Sequence, residues 1–407
     1  MKVLSLGLDN SILNKSSALA QRAIEYGNLV EKYTVIVPNQ KNEKTELSEK
    51  VYPVRNSNGA LNPVIEQRSI VSNGVKAYGL SGGNKLSQFI RIYNLAKKLL
   101  REEKYDVITV QDQYYLALIG LALSKKFKTG LEIQVHGFEK YYGLRKLIAK
   151  YVLPRANAVR CVSQRLKKQL INEFGVKEEK ITTVPIFVDT TLSLRGATRR
   201  GNLILGNFIF LTVGRLVPIK NIGLQIEAMA EIIKKYPQTE LWIVGDGSER
   251  EKLKMQIDHF DEAIARQKNF RPSGDHPQGG KLDDNVRLLG QKTKEELDEI
   301  YSQADVFVLT SNSEGWGMAV IEAASFDLPI IMTDVGCAGE VIKNEESGLI
   351  IPIGDRQSLV RAMEILLRDE SLRQRIGDGA RQAAAALPSK QEILNLYLAS
   401  WQKAANL

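Results

Sequence analysis

FIFLTVGRLVPIKNIGLQIEAMA, residues 208–230, decides how the rest of the chain is read. Phe208–Val213 is a continuous apolar run of strand length. Gly214–Lys220 follows as a short turn, and a helix-period pattern then runs over Asn221–Tyr236. Unbroken apolarity, rather than alternation, is what a strand covered on both faces requires, so this stretch reads as half of a βαβ unit. The rhythm continues downstream. Glu240–Val244, Val286–Leu289, Val306–Leu309 and Ile330–Thr333 read as strands, and Ser248–His259, Lys294–Gln303, Gly317–Phe326 and Gln357–Arg368 as helices. It also runs upstream, with strands at Val3–Leu6, Tyr33–Val37, Val107–Val110, Leu131–Val135 and Ala158–Val162. Helices are expected there at Ser17–Leu29, Leu86–Glu102 and Leu116–Lys125. Helices between buried strands call for right-handed crossovers in mostly parallel sheets.

The pattern breaks at Asp189–Gly206, where TTLSLRGATRRGN is small, polar and basic and reads as an interdomain linker. The fold class is therefore α/β, in two domains of mostly parallel sheet covered by helices. The first domain is placed at residues 1–195 and the second at 196–388. A last helix, Lys390–Ala405 within 389–407, is expected to pack across the domain junction. Asn39–Gly83 is polar and irregular, with weak strand signals at Val51–Val54 and Val75–Tyr78. Asp261–Asp284 is rich in Gly, Pro and charge and is expected to be a mobile surface insertion.

Composition sets limits. The chain has 407 residues, 43% hydrophobic and 25% charged, as ordinary globular domains have. Cys161 and Cys337 are far apart and fit reduced core thiols, not a disulfide framework or a zinc site. The most apolar stretch, Tyr114–Leu123, is too short to span a bilayer, and MKVLSLGLDN reads as a buried first strand instead of a secretory signal. Charge is uneven. Residues 1–200 carry 33 Lys and Arg against 17 Asp and Glu, while the remainder carries 23 against 30. A basic half fits nucleic acid, acidic lipid headgroups or a phosphorylated acceptor, or only a set of solvated lysines.

Ligands of open α/β sheets bind beyond the carboxyl ends of the strands, which directs attention to four turns. In FLTVGRLVPIKN, Gly214 permits close approach of a ligand, Arg215 offers a planar fork and Lys220 a point charge, a set suited to a diphosphate. In SNSEGWGMAVIEAASFDLP, Glu314 precedes Gly315, Trp316 and Gly317, and a helix starts near Met318. Backbone N–H groups at that helix start suit phosphate, and Glu314 and Glu322 could grip hydroxyls at two points. In QVHGFE, His136 ends a strand; it could bond a substrate hydroxyl, act in proton transfer, or be a structural histidine. In VGDGSE, Gly245 and Gly247 read as a tight βα turn edging the nucleotide site. A basic, aromatic-interleaved stretch, Phe138–Arg155, either lies on an anionic membrane surface or is an ordinary amphipathic helix. Metal-ligand spacings, a Walker A loop and a G-x-S-x-G elbow are not found, so no metal site and no cofactor are expected.

V-G-R-L-V-P-I-K-N, I-V-G-D-G-S-E-R, V-R-L-L-G and S-E-G-W-G-M-A-V-I-E-A, in order over Phe208–Asp355, resemble the C-terminal domain of glycosyltransferase family 4. The first half resembles it through V-H-G at 135–137, V-S-Q-R-L-K at 162–167 and V-P-I-F-V-D at 184–189. The resemblance implies the GT-B fold, two Rossmann-like domains facing each other across a cleft, and transfer with retention at the anomeric carbon. It implies that Arg215 and Lys220 contact the donor diphosphate, Glu314 the donor sugar, Glu322 the ribose, the amides of Gly317 and Met318 the distal phosphate, and that His136 reaches the sugar. The departing phosphate then assists deprotonation of the acceptor. The first-strand turn, GLDNSILNKSS, differs from the family's Gly-rich turn in holding only Gly7.

The reading is a retaining glycosyltransferase that uses a nucleotide-sugar donor and a saccharide or lipid-linked acceptor. It is placed in the cytoplasm, with an anionic membrane surface as a further partner and no nucleic acid. The alternatives are a nucleotide-sugar epimerase or phosphorylase on the same fold, or an inactive nucleotide-sugar-binding protein.

Overall fold

A computed structural model describes residues 1–47, 75–81, 84–137, 143–189, 207–268 and 285–406, with residues 261–268 described in backbone only. The chain divides into two compact units, Met1–Pro185 joined by Ser389–Leu407, and Ile186–Pro388. The linker stretch after Asp189 lies outside the described residues, as do Val51–Val54 and residues 138–142 of the basic stretch.

The first unit is built on β1 (Lys2–Leu6), β2 (Lys32–Pro38), β3 (Glu43–Glu46), β4 (Val75–Leu80), β5 (Val107–Val110), β6 (Gly130–Val135), β7 (Ala158–Cys161) and β8 (Ile181–Thr183). Among the described residues they form one sheet in the order β3-β4-β2-β1-β5-β6-β7-β8. Only β3 runs antiparallel to its neighbour. The helices are α1 (Ala18–Gly27), α2 (Lys85–Glu102), α3 (Tyr115–Phe127), α4 (Gly143–Val152) and α5 (Gln164–Phe174). Gly120 lets α3 lie close on the sheet, since a Cβ there would meet Val110 at 2.7 Å and Leu131 at 3.0 Å.

The second unit has β9 (Phe208–Val213), β10 (Thr239–Val244), β11 (Val286–Gly290), β12 (Val306–Leu309), β13 (Ile330–Thr333) and β14 (Gly348–Ile351). All neighbours are parallel, in the order β11-β10-β9-β12-β13-β14. This is the doubly wound order 3-2-1-4-5-6, and its strand order reverses between β9 and β12. Around it lie α6 (Gly223–Ile232), α7 (Arg250–Lys268), α8 (Lys294–Gln303), α9 (Met318–Ser325), α10 (Arg356–Arg368) and α11 (Glu370–Ala385). The core joins Phe210, Leu241, Ile243, Val306, Val308 and Ile331 of the strands to apolar faces of α6 and α10.

The chain then returns to the first unit through α12 (Lys390–Ala405). Trp401 is fully buried, and its Nε1–H donates to Glu132 Oε2 at 3.1 Å. Glu132 also accepts from Ser400 and Thr109, and Arg160 Nε lies 3.2 Å from its Oε1. The Arg160 guanidinium sits 3.7 Å from the centroid of Tyr397, also on α12. A buried carboxylate needs several such partners to offset its lost hydration.

Two elements differ from expectation for reasons visible in packing. Part of the expected insertion, Asp261–Lys268, continues α7 as helix, while residues 269–284 lie outside the described residues. The helix α11 carries a weak sequence signal because Gly377 and Gly379 lie within it. Both glycines serve close approach. A Cβ at Gly377 would sit 2.3 Å from the Asp327 carbonyl, and one at Gly379 would sit 2.2 Å from that of Glu346.

Candidate active site

The reversal of strand order in the second sheet opens a crevice between the turns that follow β9 and β12. The two turns are stapled together by backbone and side-chain bonds. Asn312 N–H donates to Ile219 O at 2.7 Å, and Thr310 Oγ1–H donates to the carbonyls of Asn221 at 3.0 Å and Lys220 at 3.3 Å. Gln225 reaches from α6 to Thr310 Oγ1 at 2.9 Å. Lys220 ends a single 3-10 turn, Pro218–Lys220, closed by Asn221 in the left-handed conformation. This turn aims the Lys220 side chain back across the crevice.

There Lys220 Nζ contacts Glu314 Oε1, and Ser311 Oγ–H donates to the same oxygen at 2.7 Å. Both partners of the ion pair are mostly shielded from water, with side-chain exposures of 19% for Lys220 and 11% for Glu314. Arg215 stands apart. It is exposed, and among the described residues its guanidinium faces no carboxylate within ion-pair distance. A Cβ at Gly214 would meet only Lys220 Cε, at 3.8 Å, so the backbone there is open to a ligand.

Glycines elsewhere in the site serve the protein's own packing. Gly245 has φ +133°, and a Cβ there would lie 1.9 Å from the Gly214 carbonyl. The β10 turn therefore lies directly against the β9 turn, fixed by Gly214 N–H to Val244 O and Leu216 N–H to Asp246 O, both 2.9 Å. Gly245 supports the Arg215 turn from behind. Gly336, which stands in no motif, does the same for the acidic turn. Its φ is +56°, and a Cβ would meet Trp316 O at 2.5 Å and Glu314 Cβ at 3.0 Å.

Gly315 sits half-buried in that acidic turn, and Trp316 is buried beneath it, its carbonyl accepting from Cys337 N–H at 2.9 Å. Gly317, with φ +98°, is the N-cap of α9 and supplies no side-chain cap, while Met318 is exposed at the first position. The first amides of α9 thus keep the positive end of the helix uncapped by any side chain. Glu322, one turn further on, has a separate setting. It accepts from Tyr301 O–H at 3.0 Å, and Tyr301 is buried and stacked on Phe326 at 5.3 Å. Burial raises the Glu322 carboxyl pKa, opposed by the Tyr301 bond and the charge of Lys294.

His136 belongs to the first unit, immediately past β6. The adjacent Gly137 carbonyl accepts from Gln113 Nε2 at 2.7 Å, which pins the turn. The imidazole pKa is lowered to about 4, first by the surrounding protein and then by the positive charges of Arg160 and Arg22. The side chain is exposed to solvent, so water screens much of this effect, and what the surroundings impose is the downward direction. Ser311, Tyr301 and Gly336 carried no motif signal of their own. The spacing of Ser311, three residues ahead of Glu314, is the one cue the sequence held.

Two family models match successive parts of the chain, Glycosyltransferase Family 4 over residues 45–192 and Glycosyl transferases group 1 over residues 207–369. The chain belongs to glycosyltransferase family 4. An uncharacterized glycosyltransferase of Methanocaldococcus jannaschii, MJ1178, is 23% identical over 73% of this chain and 75% of its own. The Escherichia coli UDP-Gal:alpha-D-GlcNAc-diphosphoundecaprenol alpha-1,3-galactosyltransferase is 29% identical over 68% of this chain and 70% of its own. The crystal structure of Anabaena Alr3699/HepE in complex with UDP superposes with a TM-score of 0.67 at 19% identity. That match covers 97% of this chain and 98% of the other. This family 4 glycosyltransferase has the GT-B fold, with a Rossmann-like sheet in each unit. Among its described residues no helix is long and apolar enough to cross a membrane, and no three His, Cys, Asp or Glu side chains gather as a metal ion requires.

Proposed function

We propose that this family 4 transferase moves a sugar from a nucleoside-diphosphate donor to a saccharide or lipid-linked acceptor, retains the anomeric configuration and uses no metal ion. The observation that carries the reading is the contact of Lys220 with Glu314 and Ser311 at the strand-order reversal, next to the exposed Arg215 and the uncapped start of α9. A diphosphate needs positive charge without a bulky side chain in the way, and Gly214, Arg215 and Lys220 supply it on one turn. The UDP held by the HepE structure and the lipid-diphosphate acceptor named for the Escherichia coli relative support the donor and acceptor classes.

In this mechanism the bond between the anomeric carbon and the diphosphate oxygen breaks, and its electron pair leaves with the diphosphate. The acceptor hydroxyl oxygen bonds to the anomeric carbon on the same face. Its proton passes to the departing phosphate oxygen. Arg215, Lys220 and the amides at the start of α9 stabilise the charge that develops on that phosphate. Glu314 holds sugar hydroxyls, and its contact with Lys220 keeps both groups in place before the donor arrives. Glu322, oriented by Tyr301, holds the ribose. His136, uncharged at pH 7, offers a hydrogen-bonding nitrogen to a sugar hydroxyl.

The test has two stages. A thermal-shift screen with UDP, GDP, ADP and their sugars identifies the donor, since a ligand of the folded state raises the melting temperature. Incubation of that labelled donor with candidate acceptors then reads the product. An α-linked product from an α-linked donor is expected. Inversion of configuration, or sugar conversion without any acceptor, would overturn the reading.

A further inference from the structure

The helices α2, α3 and α4 lie side by side on one face of the first sheet, while α12 covers β5–β8 from the other. Gly120 of α3 faces Ile108, Val110 and Leu131, whereas Ser400 and Trp401 of α12 meet Glu132 on the opposite side of β6. Each of the three helices follows a parallel strand, so their N-terminal ends share the sheet edge where His136 sits. Those ends are tied together by rings. Phe89 of α2 contacts Tyr115 of α3 at 5.8 Å, and the Arg145 guanidinium of α4 lies 5.6 Å from Tyr114 and 5.9 Å from Tyr115.

The outer surface of this layer is unusual in two independent ways. Among the described residues, the exposed large apolar side chains of the first unit are Leu8 and five on these helices. These five are Leu86 at 69%, Ile90 at 53%, Leu144 at 63%, Leu147 at 66% and Tyr151 at 46%. Their spacing of i, i+4 on α2 and i, i+3, i+7 on α4 makes a stripe along each helix. The same helices carry ten basic residues, among them Lys85, Arg91, Arg145, Lys146 and Lys150, and one acidic residue, Glu102. A monomer gains nothing by exposing leucines in register on a face it has cleared of carboxylates.

We propose that the outer face of α2 and α4 docks this protein onto an anionic lipid bilayer. Leu86, Ile90, Leu144 and Leu147 enter the headgroup region while the lysines and arginines beside them meet lipid phosphates. Nucleic acid would use the charge but not the leucine stripes, and an apolar protein groove would use the stripes but not the charge. A bilayer of acidic lipid uses both. The docked face adjoins the sheet edge that carries His136, which brings that edge to the level where a lipid-linked acceptor presents its headgroup. The docking adds a partner to the transferase reading and does not rest on it, because binding to a bilayer requires no sugar donor.

Flotation of the full chain with vesicles tests it. The protein is expected to float with vesicles of equal parts phosphatidylcholine and phosphatidylglycerol and to stay behind with phosphatidylcholine alone. Raising salt from roughly 0.1 to 1 M should weaken binding, as the Debye length falls from about 10 to 3 Å. Two variants separate the contributions: L86S/L144S/L147S and K146E/K150E should each lower partitioning about tenfold or more. All five side chains are exposed, so an unchanged melting temperature is expected in both, and either variant suffices if the other fails to fold. Equal binding to both vesicle types, or unchanged partitioning in both variants, overturns the proposal. So does tighter binding to a DNA duplex that only the charge reversal abolishes.

Discussion

Lys220 and Glu314 neutralise one another in the free protein, and a bound diphosphate must draw on the same lysine. Truncating Lys220 to Ala removes charge from the departing phosphate and leaves Glu314 shielded with Ser311 alone. The expected loss is about a hundredfold or more in kcat in a steady-state transfer assay. Ser311→Ala is subtler. It removes one of the two groups that hold Glu314 Oε1, so kcat/KM should fall about tenfold, with donor KM the smaller component. Tyr301→Phe should act on Glu322 instead, raising donor KM several-fold while kcat stays near wild type. His136 makes a prediction in pH. A pKa lowered to about 4 means the folded chain refuses a proton that the unfolded chain accepts near the ordinary value of about 6.5. The ring is therefore neutral at pH 7, and its contribution to stability is complete above the unfolded value of about 6.5 and fades as pH falls toward the folded value. NMR titration of the His136 ring reads this directly, and a midpoint near 6.5 would contradict it.

Elements in this fold are placed by what they bury and by where glycine lets backbones touch. The C-terminal helix α12 holds its place through Trp401, Ser400 and Tyr397 against the buried Glu132 and Arg160. Trp401→Ala should cost about 3–5 kcal/mol in chemical denaturation, from lost burial together with the vacated bond to Glu132. Continuous apolar strands were legible because a doubly covered sheet leaves few polar positions, one in VITV of β5 and none in VFVL of β12. The strand β14, GLII, was not legible because Gly348 and Pro352 bracket its three apolar residues and read as turn signals. The polar face of β6, with Glu132 and Gln134, was equally silent on its own, since Thr109, Arg160 and the residues of α12 come from distant parts of the chain to supply the partners that make a buried carboxylate tolerable.

At the scale of the whole molecule, the first unit is discontinuous in sequence. A chain ending at Pro388 would keep every strand of both sheets and still uncover the Glu132–Arg160 pair and the apolar surface under Trp401. Such a chain should lose the cooperative melting of the first unit in calorimetry, while the transition of the second unit persists. The uneven charge belongs to this scale as well. The net +9 conceals a basic first half and an acidic second half, and the layer of α2, α3 and α4 concentrates the positive charge on one face.

Local order alone determined the central apolar strands, their alternation with helices, and the two turns where Arg215, Lys220 and Glu314 occur, because apolar runs and glycine-flanked polar residues leave a signal within a few positions. Tertiary structure alone decided that Lys220 meets Glu314 across 94 residues and Tyr301 meets Glu322 across 21. It also decided that Gly245 and Gly336 serve backbone packing, and that the last helix closes the first unit. Those facts depend on which strands become neighbours and how closely their turns pack, and no stretch of sequence records its own neighbours in space.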